Sequence, residues 1–366
     1  MRRRKVLRFT YLSLLVGAVL GLISGLAFGG GGSGGTSVGP DQGASTPVTT
    51  PRVEVDPYAG EPMTPQRAEL VGSNEMGLIP VLVYNEISPE VDETSTRTPD
   101  QLRDDLALLE SEGFYPISVG DLAAGDVDIP AGRSPVVISF DRSYPGHYRI
   151  LDDGSLDPNC AVAIIRAFSE AGYWRQRATF FCLLDVVPSD NVVFGQGERK
   201  REKLRNLADW GFEIGSNTMT NLDLSKASPE EIQRELAQSQ ASLNDMLRDK
   251  STVTSLALPY GRFPQDTGLL VTGSYEDTTY EYYAAVGLDE NGAWCPSPFS
   301  TIFSPMHIPR MAPTGDSLAV AISQLKSNRE LMYISDGDST SVSAPYDLAP
   351  SLGEPRTDLG RPVVRY

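Results

Sequence analysis

From Gly77 onward the chain alternates short apolar runs with amphipathic stretches. The apolar runs are rich in Val, Ile, Leu and Phe, which is typical of strands that are buried on both faces. The runs that predict strands are 79–84, 135–140, 178–184, 212–215 and 255–260, and the stretches that predict helices are 98–109, 160–171, 198–210 and 228–248. This order predicts an α/β fold with a mainly parallel sheet, either open or closed into a barrel.

Upstream of this region the pattern changes twice. Residues 1–10 are basic, and residues 11–28 form an uncharged apolar run of eighteen residues, long enough for one membrane-spanning helix. Residues 29–76 are rich in Gly, Ser, Thr and Pro, a composition typical of a flexible tether. We therefore predict a folded domain over 77–345, joined by the tether to the apolar segment and followed by a polar C-terminal tail over 346–366.

The basic residues before the apolar run predict that the N-terminus is cytoplasmic and that the domain lies outside the cell membrane. This gives a single-pass membrane protein with an extracytoplasmic domain. Ala27 and Gly29 also form a small-x-small pattern, so cleavage as a signal peptide, with secretion of the domain, stays open.

Charge narrows the range of partners. The chain has 31 basic and 48 acidic residues, a formal charge of −17, and five of the basic residues lie in the first ten. The remainder carries a charge of −22, which excludes nucleic acid as a partner of the main domain, because phosphate binding needs a basic face. Of the three cysteines, Cys182 lies in an apolar run and is expected in the core, and a disulfide between Cys160 and Cys295 stays open.

One stretch, Gly211 to Ser225, combines a short strand with a polar turn that holds Asn217 and Asn221. Side chains four residues apart converge if the turn is helical, which is the spacing that metal-binding pairs use. Both residues are carboxamides, and an amide oxygen is a weak ligand for zinc compared with an imidazole.

Five motifs together resemble the polysaccharide deacetylases, the family with the NodB homology fold. They are PVLVYNEI at 80–87, VVISFDRS at 136–143, RATFFCLL at 177–184, GFEIGSNTMTNLDLS at 211–225 and ALPYG at 257–261. The resemblance covers the region from about Gly77 to Pro345 and implies a distorted (β/α) barrel with its site at the strand ends. It also implies removal of acetyl groups from N- or O-acetylated glycans.

The resemblance implies a specific chemistry, in which one carboxylate and two histidines hold a divalent cation such as zinc and a second carboxylate acts as the base. Asp141 aligns with the base, whereas Arg142 stands at the metal-binding aspartate. Asn217 and Asn221 stand at the two histidines, and Asn85 stands at a further histidine position. A cation and amides at these positions predict that the chain lacks the family's metal and has no other cofactor.

Two further residues belong to this expected site. Arg310 lies in the family's PR pattern, where the arginine orients the base, which predicts an ion pair between Arg310 and Asp141. Tyr260 is expected to line the groove with Asn85, Arg142, Asn217 and Asn221.

The two histidines of the chain offer alternatives. His147 could form a substitute metal site with Asp152, Asp153 and Asp157, although a solvated loop is the simpler interpretation. His307 is expected to pack at a strand end.

Three functions remain open at this stage. The first is a membrane-anchored, metal-free and catalytically degenerate deacetylase-like protein that binds acetylated cell-envelope glycan. The second is an active N- or O-deacetylase that uses Asp141 and Arg142 without a metal. The third is an envelope scaffold that binds a protein partner.

Overall fold

The computed structural model describes residues 61–90, 96–185, 193–288 and 294–366. The predicted cytoplasmic segment, the apolar run at 11–28 and most of the tether lie outside the described residues. Within the described residues, no helix combines the length and the apolar character that crossing a membrane requires.

The elements follow one another along the chain as the hydrophobic pattern predicts. The strands are β1 (Val81–Tyr84), β2 (Glu86–Ile87), β3 (Thr96–Arg97), β4 (Phe114–Ile117), β5 (Ser134–Phe140), β6 (Thr179–Cys182), β7 (Glu213–Ser216), β8 (Ser255–Ala257), β9 (Thr272–Tyr275), β10 (Thr278–Glu281), β11 (Ala284–Leu288), β12 (Ile308–Arg310), β13 (Val342–Ala344) and β14 (Val363–Arg365). The α-helices are α1 (Pro65–Val71), α2 (Pro99–Ser111), α3 (Val119–Ala124), α4 (Ala161–Glu170), α5 (Lys200–Asp209), α6 (Pro229–Leu247) and α7 (Ser317–Ser327).

The main sheet is a nearly closed parallel barrel. Its strands are ordered β1-β5-β6-β7-β8-β11-β12, and β4 pairs in parallel with the first half of β5. The ring closes where Leu82 bridges Met311, with the amide of Val83 donating to the carbonyl of Met311 at 3.0 Å. The expected α/β barrel is therefore confirmed, and the carboxyl ends of its strands meet at one end, where barrels hold their sites.

Alternation of side chains along the strands separates two apolar layers. Val81, Val137 and Val286 belong to one buried cluster together with Phe181, on the inner face of the barrel. Leu82, Ile138 and other residues of opposite parity belong to a second cluster that includes the apolar faces of α2, α4, α5 and α6. Every residue of β5 is buried, because this strand packs on both faces.

The helices begin where the sequence supplies capping residues. In α2 the Thr98 side chain accepts from the Gln101 backbone N–H and the Gln101 side chain accepts from the Thr98 backbone N–H, which forms a capping box. Helix α6 starts with the same arrangement between Ser228 and Glu231. These caps satisfy backbone N–H groups that have no partner inside the helix.

The structure differs from the predicted boundaries at both ends of the domain. Residues 61–76, which the composition assigns to the tether, contain α1, whose Thr64 cap and fully buried Ala68 hold it on the body. The predicted tail contains β14, which pairs in parallel with β13, and Tyr366 donates to the carbonyl of Ser73 at 2.5 Å. These segments are too short and polar to show periodicity, and they are ordered by pairing with distant residues.

The cysteines are all buried and unpaired. Cys182 lies in the core as expected, and burial raises the pKa of its thiol well above the usual range. Cys160 belongs to the helix-facing cluster and Cys295 to the barrel-interior cluster, so the disulfide left open by the sequence does not form.

Candidate functional site

The predicted site residues come from five strand ends. Asn85 follows β1, Asp141 and Arg142 follow β5, and Arg310 ends β12. Asn217 directly follows β7, with Asn221 four residues further on, and Tyr260 lies in the 3-10 turn Pro259–Gly261 after β8. The parallel barrel thus places all seven residues at the carboxyl end of the sheet.

The strongest contact of the site joins Asp141 and Arg310. Nη1 and Nη2 of Arg310 donate to Oδ1 and Oδ2 of Asp141, each at 2.7 Å. The side chains are only 10% and 1% exposed, so the pair is shielded from water. Bidentate pairing of this kind fixes orientation as well as charge, and it confirms the predicted ion pair.

Ser139 completes this arrangement and was missed in the sequence. Its hydroxyl accepts from Nη1 of Arg310 at 3.1 Å and donates to the carbonyl of Leu82 at 2.7 Å. The signal was present, since Ser139 precedes Asp141 by two residues and therefore faces the same side of the strand. A serine at that position in an otherwise apolar run indicates a buried polar contact.

Asn217 and Asn221 do not lie on a helical turn, which corrects the condition under which their side chains would converge. The backbone between them is extended or bent, and Thr218 and Asn221 have φ values of 65° and 63°. Nδ2 of Asn217 donates to the carbonyl of Ala257 at 3.0 Å, whereas Nδ2 of Asn221 lies 3.5 Å from the hydroxyl of Tyr260. Both side chains are therefore directed to β8 and the turn after it.

This loop is held by a residue that the sequence analysis missed. Glu235, on α6, is buried and accepts from the backbone N–H groups of Met219 and Thr220, at 3.0 and 2.7 Å, and from the Thr220 hydroxyl at 2.8 Å. A glutamate on the buried face of an amphipathic helix is the signal that could have revealed it.

Asn85 and Arg142 lie apart from these contacts. The backbone carbonyl of Asn85 accepts a hydrogen bond from Nε2 of His147, while its side chain makes no hydrogen bond to any residue that the structure describes. Arg142 is exposed, has φ of 69°, and places its guanidinium carbon 5.4 Å from the centre of the Tyr144 ring. It forms no ion pair within the described part of the chain.

Both interpretations offered for His147 are wrong. The side chain is fully buried and packs edge-on against Phe140 and Tyr144, so it neither binds metal with Asp152, Asp153 and Asp157 nor lies in a solvated loop. Burial lowers the pKa of His147 to about 4, which keeps the ring neutral. His307, by contrast, is exposed just before β12 and stacks on Phe263 with ring centres 3.8 Å apart.

The donors present do not fit the divalent cation that the resemblance implies. Asp141 has both oxygens bonded to Arg310, and Asn217 uses its amide nitrogen on a carbonyl. Oδ1 of Asn217 is buried without a hydrogen-bond partner in the described structure, so this asparagine retains one weak oxygen donor. Arg142 adds a permanent positive charge where a carboxylate would be needed. Across the described ranges, no group of three His, Cys, Asp or Glu side chains could hold a metal ion.

A parallel α/β barrel with a buried Asp–Arg pair at its carboxyl end defines a class of barrel proteins with a strand-end site. Comparison with known proteins identifies the class more closely. The family model for polysaccharide deacetylase matches residues 129–285, which include β5 to β8 and both asparagines. The chain therefore carries a polysaccharide deacetylase domain of the NodB type, as the motifs predicted.

Individual relatives are distant. YxkH of Bacillus subtilis (strain 168), whose name assigns it to the polysaccharide deacetylases, is 22% identical over 191 residues, or 52% of this chain. The matched part spans 59% of the length of that relative.

Two solved structures are similar at the level of the fold. The Streptococcus pyogenes deacetylase PplD in complex with acetate has a TM-score of 0.46 and 19% identity, over 67% of this chain and 97% of its own. A polysaccharide deacetylase from Bacillus cereus has a TM-score of 0.48 and 17% identity, over 67% of this chain and 69% of its own.

Proposed function

We propose that this protein is a membrane-anchored, extracytoplasmic and catalytically degenerate polysaccharide deacetylase-like protein that binds acetylated cell-envelope glycan without a metal. The observation that carries the proposal is the use of both Asp141 oxygens by Arg310, beside Arg142, Asn217 and Asn221 at the aligned ligand positions. A carboxylate held in this way is a poor base, and the amides and the arginine do not replace imidazoles as ligands.

The remaining chemistry of the groove suits sugar binding. Amides, a guanidinium and an exposed tyrosine hydroxyl hydrogen-bond hydroxyl and acetamido groups, and an aromatic face packs against a sugar ring. Tyr260 is 59% exposed and its hydroxyl lies beside the Asn221 amide. The acidic body excludes nucleic acid but not a glycan.

Metal analysis of the purified full chain, run beside an acetate-release assay on acetylated glycans and a glycan-binding measurement, tests the proposal. We expect glycan binding without stoichiometric zinc and without acetate release. Zinc bound one to one and lost in Asn217→Ala would overturn it. Membrane anchoring is tested separately, by fractionation of cells and by the mass of the mature N-terminus, since residues 11–28 are intact only in an anchored protein.

Activity without a metal is the competing function, and one observation favours it. The Arg142 guanidinium is exposed and could stabilise an oxyanion. This hydrolase would need Asp141 as a base, so acetate release that is lost in Asp141→Asn would support it. The scaffold alternative predicts that substitutions of Asn217, Asn221 and Arg142 leave every phenotype unchanged.

A further inference from the structure

We infer that Arg142 gives the groove a preference for acetylated glycans that carry an anionic substituent, a carboxylate or a phosphate. The inference rests on the proposed glycan-binding function and names the chemical class of the ligand. It starts from the balance of charge at the carboxyl end of the barrel.

The charge of Asp141 is already neutralised. Arg310 meets both of its oxygens in a buried bidentate pair, so these two residues contribute no net charge to a ligand nearby. Arg142 is the next residue in the chain, and its positive charge is therefore not cancelled by Asp141.

The other basic residue close to the groove is committed elsewhere. Arg262, two residues after Tyr260, donates to Asp223 at 3.1 Å, and Lys226 pairs with the same carboxylate at 2.8 Å. Arg142, in contrast, makes no hydrogen bond or ion pair with any described residue; its one recorded contact is with the Tyr144 ring. In a chain with a net charge of −17, an exposed arginine without a carboxylate partner is an unusual local feature.

The position of this side chain is restricted from both sides. The backbone N–H of Asp141 donates to the carbonyl of Tyr84 at 3.0 Å, and the Ser143 hydroxyl is bonded to the backbone N–H of Leu183 at 3.2 Å. Arg142 therefore projects from a fixed segment rather than from a free loop. A guanidinium presents paired N–H donors that match carboxylate and phosphate oxygens, which is the chemistry that would recognise an acidic substituent.

The test is titration of the full chain with three tetrasaccharides: neutral N-acetylated chitotetraose, a tetrasaccharide that alternates N-acetylglucosamine with N-acetylmuramic acid, and chitotetraose that carries a 6-phosphate. The last two separate a carboxylate source from a phosphate source. We expect the wild type to bind at least one acidic probe about two- to fivefold more tightly than the neutral probe, the range of an exposed ion pair. High salt should remove the preference.

Arg142→Asn removes the charge and keeps a residue type that tolerates positive φ, and Arg142→Gly gives a second neutral variant that meets no backbone strain. Both should bind the neutral and acidic probes equally, while Arg142→Lys keeps part of the preference. Arg149→Gln is the matched control, because this exposed arginine lies seven residues away in the same insertion, 4.0 Å from Asp157; it should keep the wild-type preference.

The outcomes separate the two proposals. Equal wild-type affinity for all three probes, or a preference that survives in folded Arg142→Asn and Arg142→Gly, would overturn the role of Arg142 and leave glycan binding standing. No binding of any probe by the wild type would overturn both.

Discussion

Arg310 and Asp141 join two strands of the barrel that are not neighbours. Arg310 ends β12, Asp141 follows β5, and β1 lies between them, hydrogen-bonded to β5 and bridged to Met311 just after β12. The pair therefore spans the place where the ring of strands closes. A contact inherited with a catalytic site also stabilises the fold.

Removing one partner of this pair should be costly. We expect Arg310→Met to lower the free energy of unfolding by about 3–5 kcal/mol, because it leaves the Asp141 carboxylate buried without its cation. Urea denaturation measures the loss. The double variant Asp141→Leu with Arg310→Met should recover much of it, and a double variant no more stable than Arg310→Met would contradict this account.

The buried histidine predicts a pH dependence at acidic pH. Burial lowers the pKa of His147 to about 4 from an ordinary value of 6.5, so the unfolded chain binds the proton first and stability falls as the pH drops from 6.5 towards 4. We expect His147→Gln, which keeps a donor for the Asn85 carbonyl, to lose this slope, worth about 3 kcal/mol at 1.36 kcal/mol per pKa unit.

The measurement is guanidinium denaturation of both proteins at several pH values between 4 and 7. His307 is the other histidine of the chain and is exposed, so His307→Gln is the matched control and should keep the wild-type slope. Parallel pH profiles for His147→Gln and the wild type would exclude a neutral buried His147.

A buried acid predicts the opposite trend. Burial, followed by the nearby Asp336, raises the pKa of Glu75 well above its ordinary value of 4.5, so its contribution to stability is complete below pH 4.5 and is lost as the pH rises through the folded pKa. Glu75 also accepts from the Ser343 backbone N–H at 2.9 Å, a contact that glutamine keeps. The gain in stability of Glu75→Gln over the wild type should therefore grow from pH 5 to pH 8.

Chemical denaturation at those two pH values is sufficient to detect this change. Glu69→Gln, on the exposed face of α1, supplies the control and should show the same small difference at both pH values. If the difference between Glu75→Gln and the wild type is constant or shrinks with pH, Glu75 is ionised in the folded protein.

Restoring the ligands should restore the metal. We expect the triple variant Arg142→Asp, Asn217→His and Asn221→His to bind zinc stoichiometrically, because it replaces a cation and two amides with a carboxylate and two imidazoles. Asn221 has positive φ, which histidine tolerates better than most residues. Elemental analysis of the purified protein is the readout, with the single variant Asn217→His as a control that should not hold the ion.

Acetate release by the zinc-loaded triple variant would show that the substrate groove is still competent. A folded triple variant without zinc would mean that the loops after β5 and β7 no longer place the ligands together, and that more than the ligand residues has changed.

The sequence predicts the barrel strands well because their burial is local information. A run such as 135–140 is apolar throughout, so its interpretation as a strand buried on both faces does not depend on distant residues. The hairpin of β9 and β10 and the pair of β13 and β14 are short and partly polar, and their structure follows from partners far away in sequence or from packing on α6. These elements were not predictable from periodicity.

The candidate site shows the same division. Its residues and the Asp141–Arg310 pair were predictable from the resemblance, since motif order fixes which strand ends meet. The burial of His147 was not, because the polar residues around it read as a loop while three aromatic rings of other elements or turns enclose it. The path between Asn217 and Asn221 was missed because single residues with positive φ leave no periodic signal.

The loops at the site hold non-glycine residues in the left-handed region at Arg142, Ser143, Thr218, Asn221 and Tyr260, and each such residue costs of the order of 1 kcal/mol relative to glycine. A glycine at any of these five positions would relax the backbone but give up a side chain or its fixed direction. Thermal robustness and precise placement of the groove side chains are therefore opposed in this protein. Engineering it for stability through these loops would first erode its selectivity, whereas changes at the distant end of the barrel would leave the groove intact.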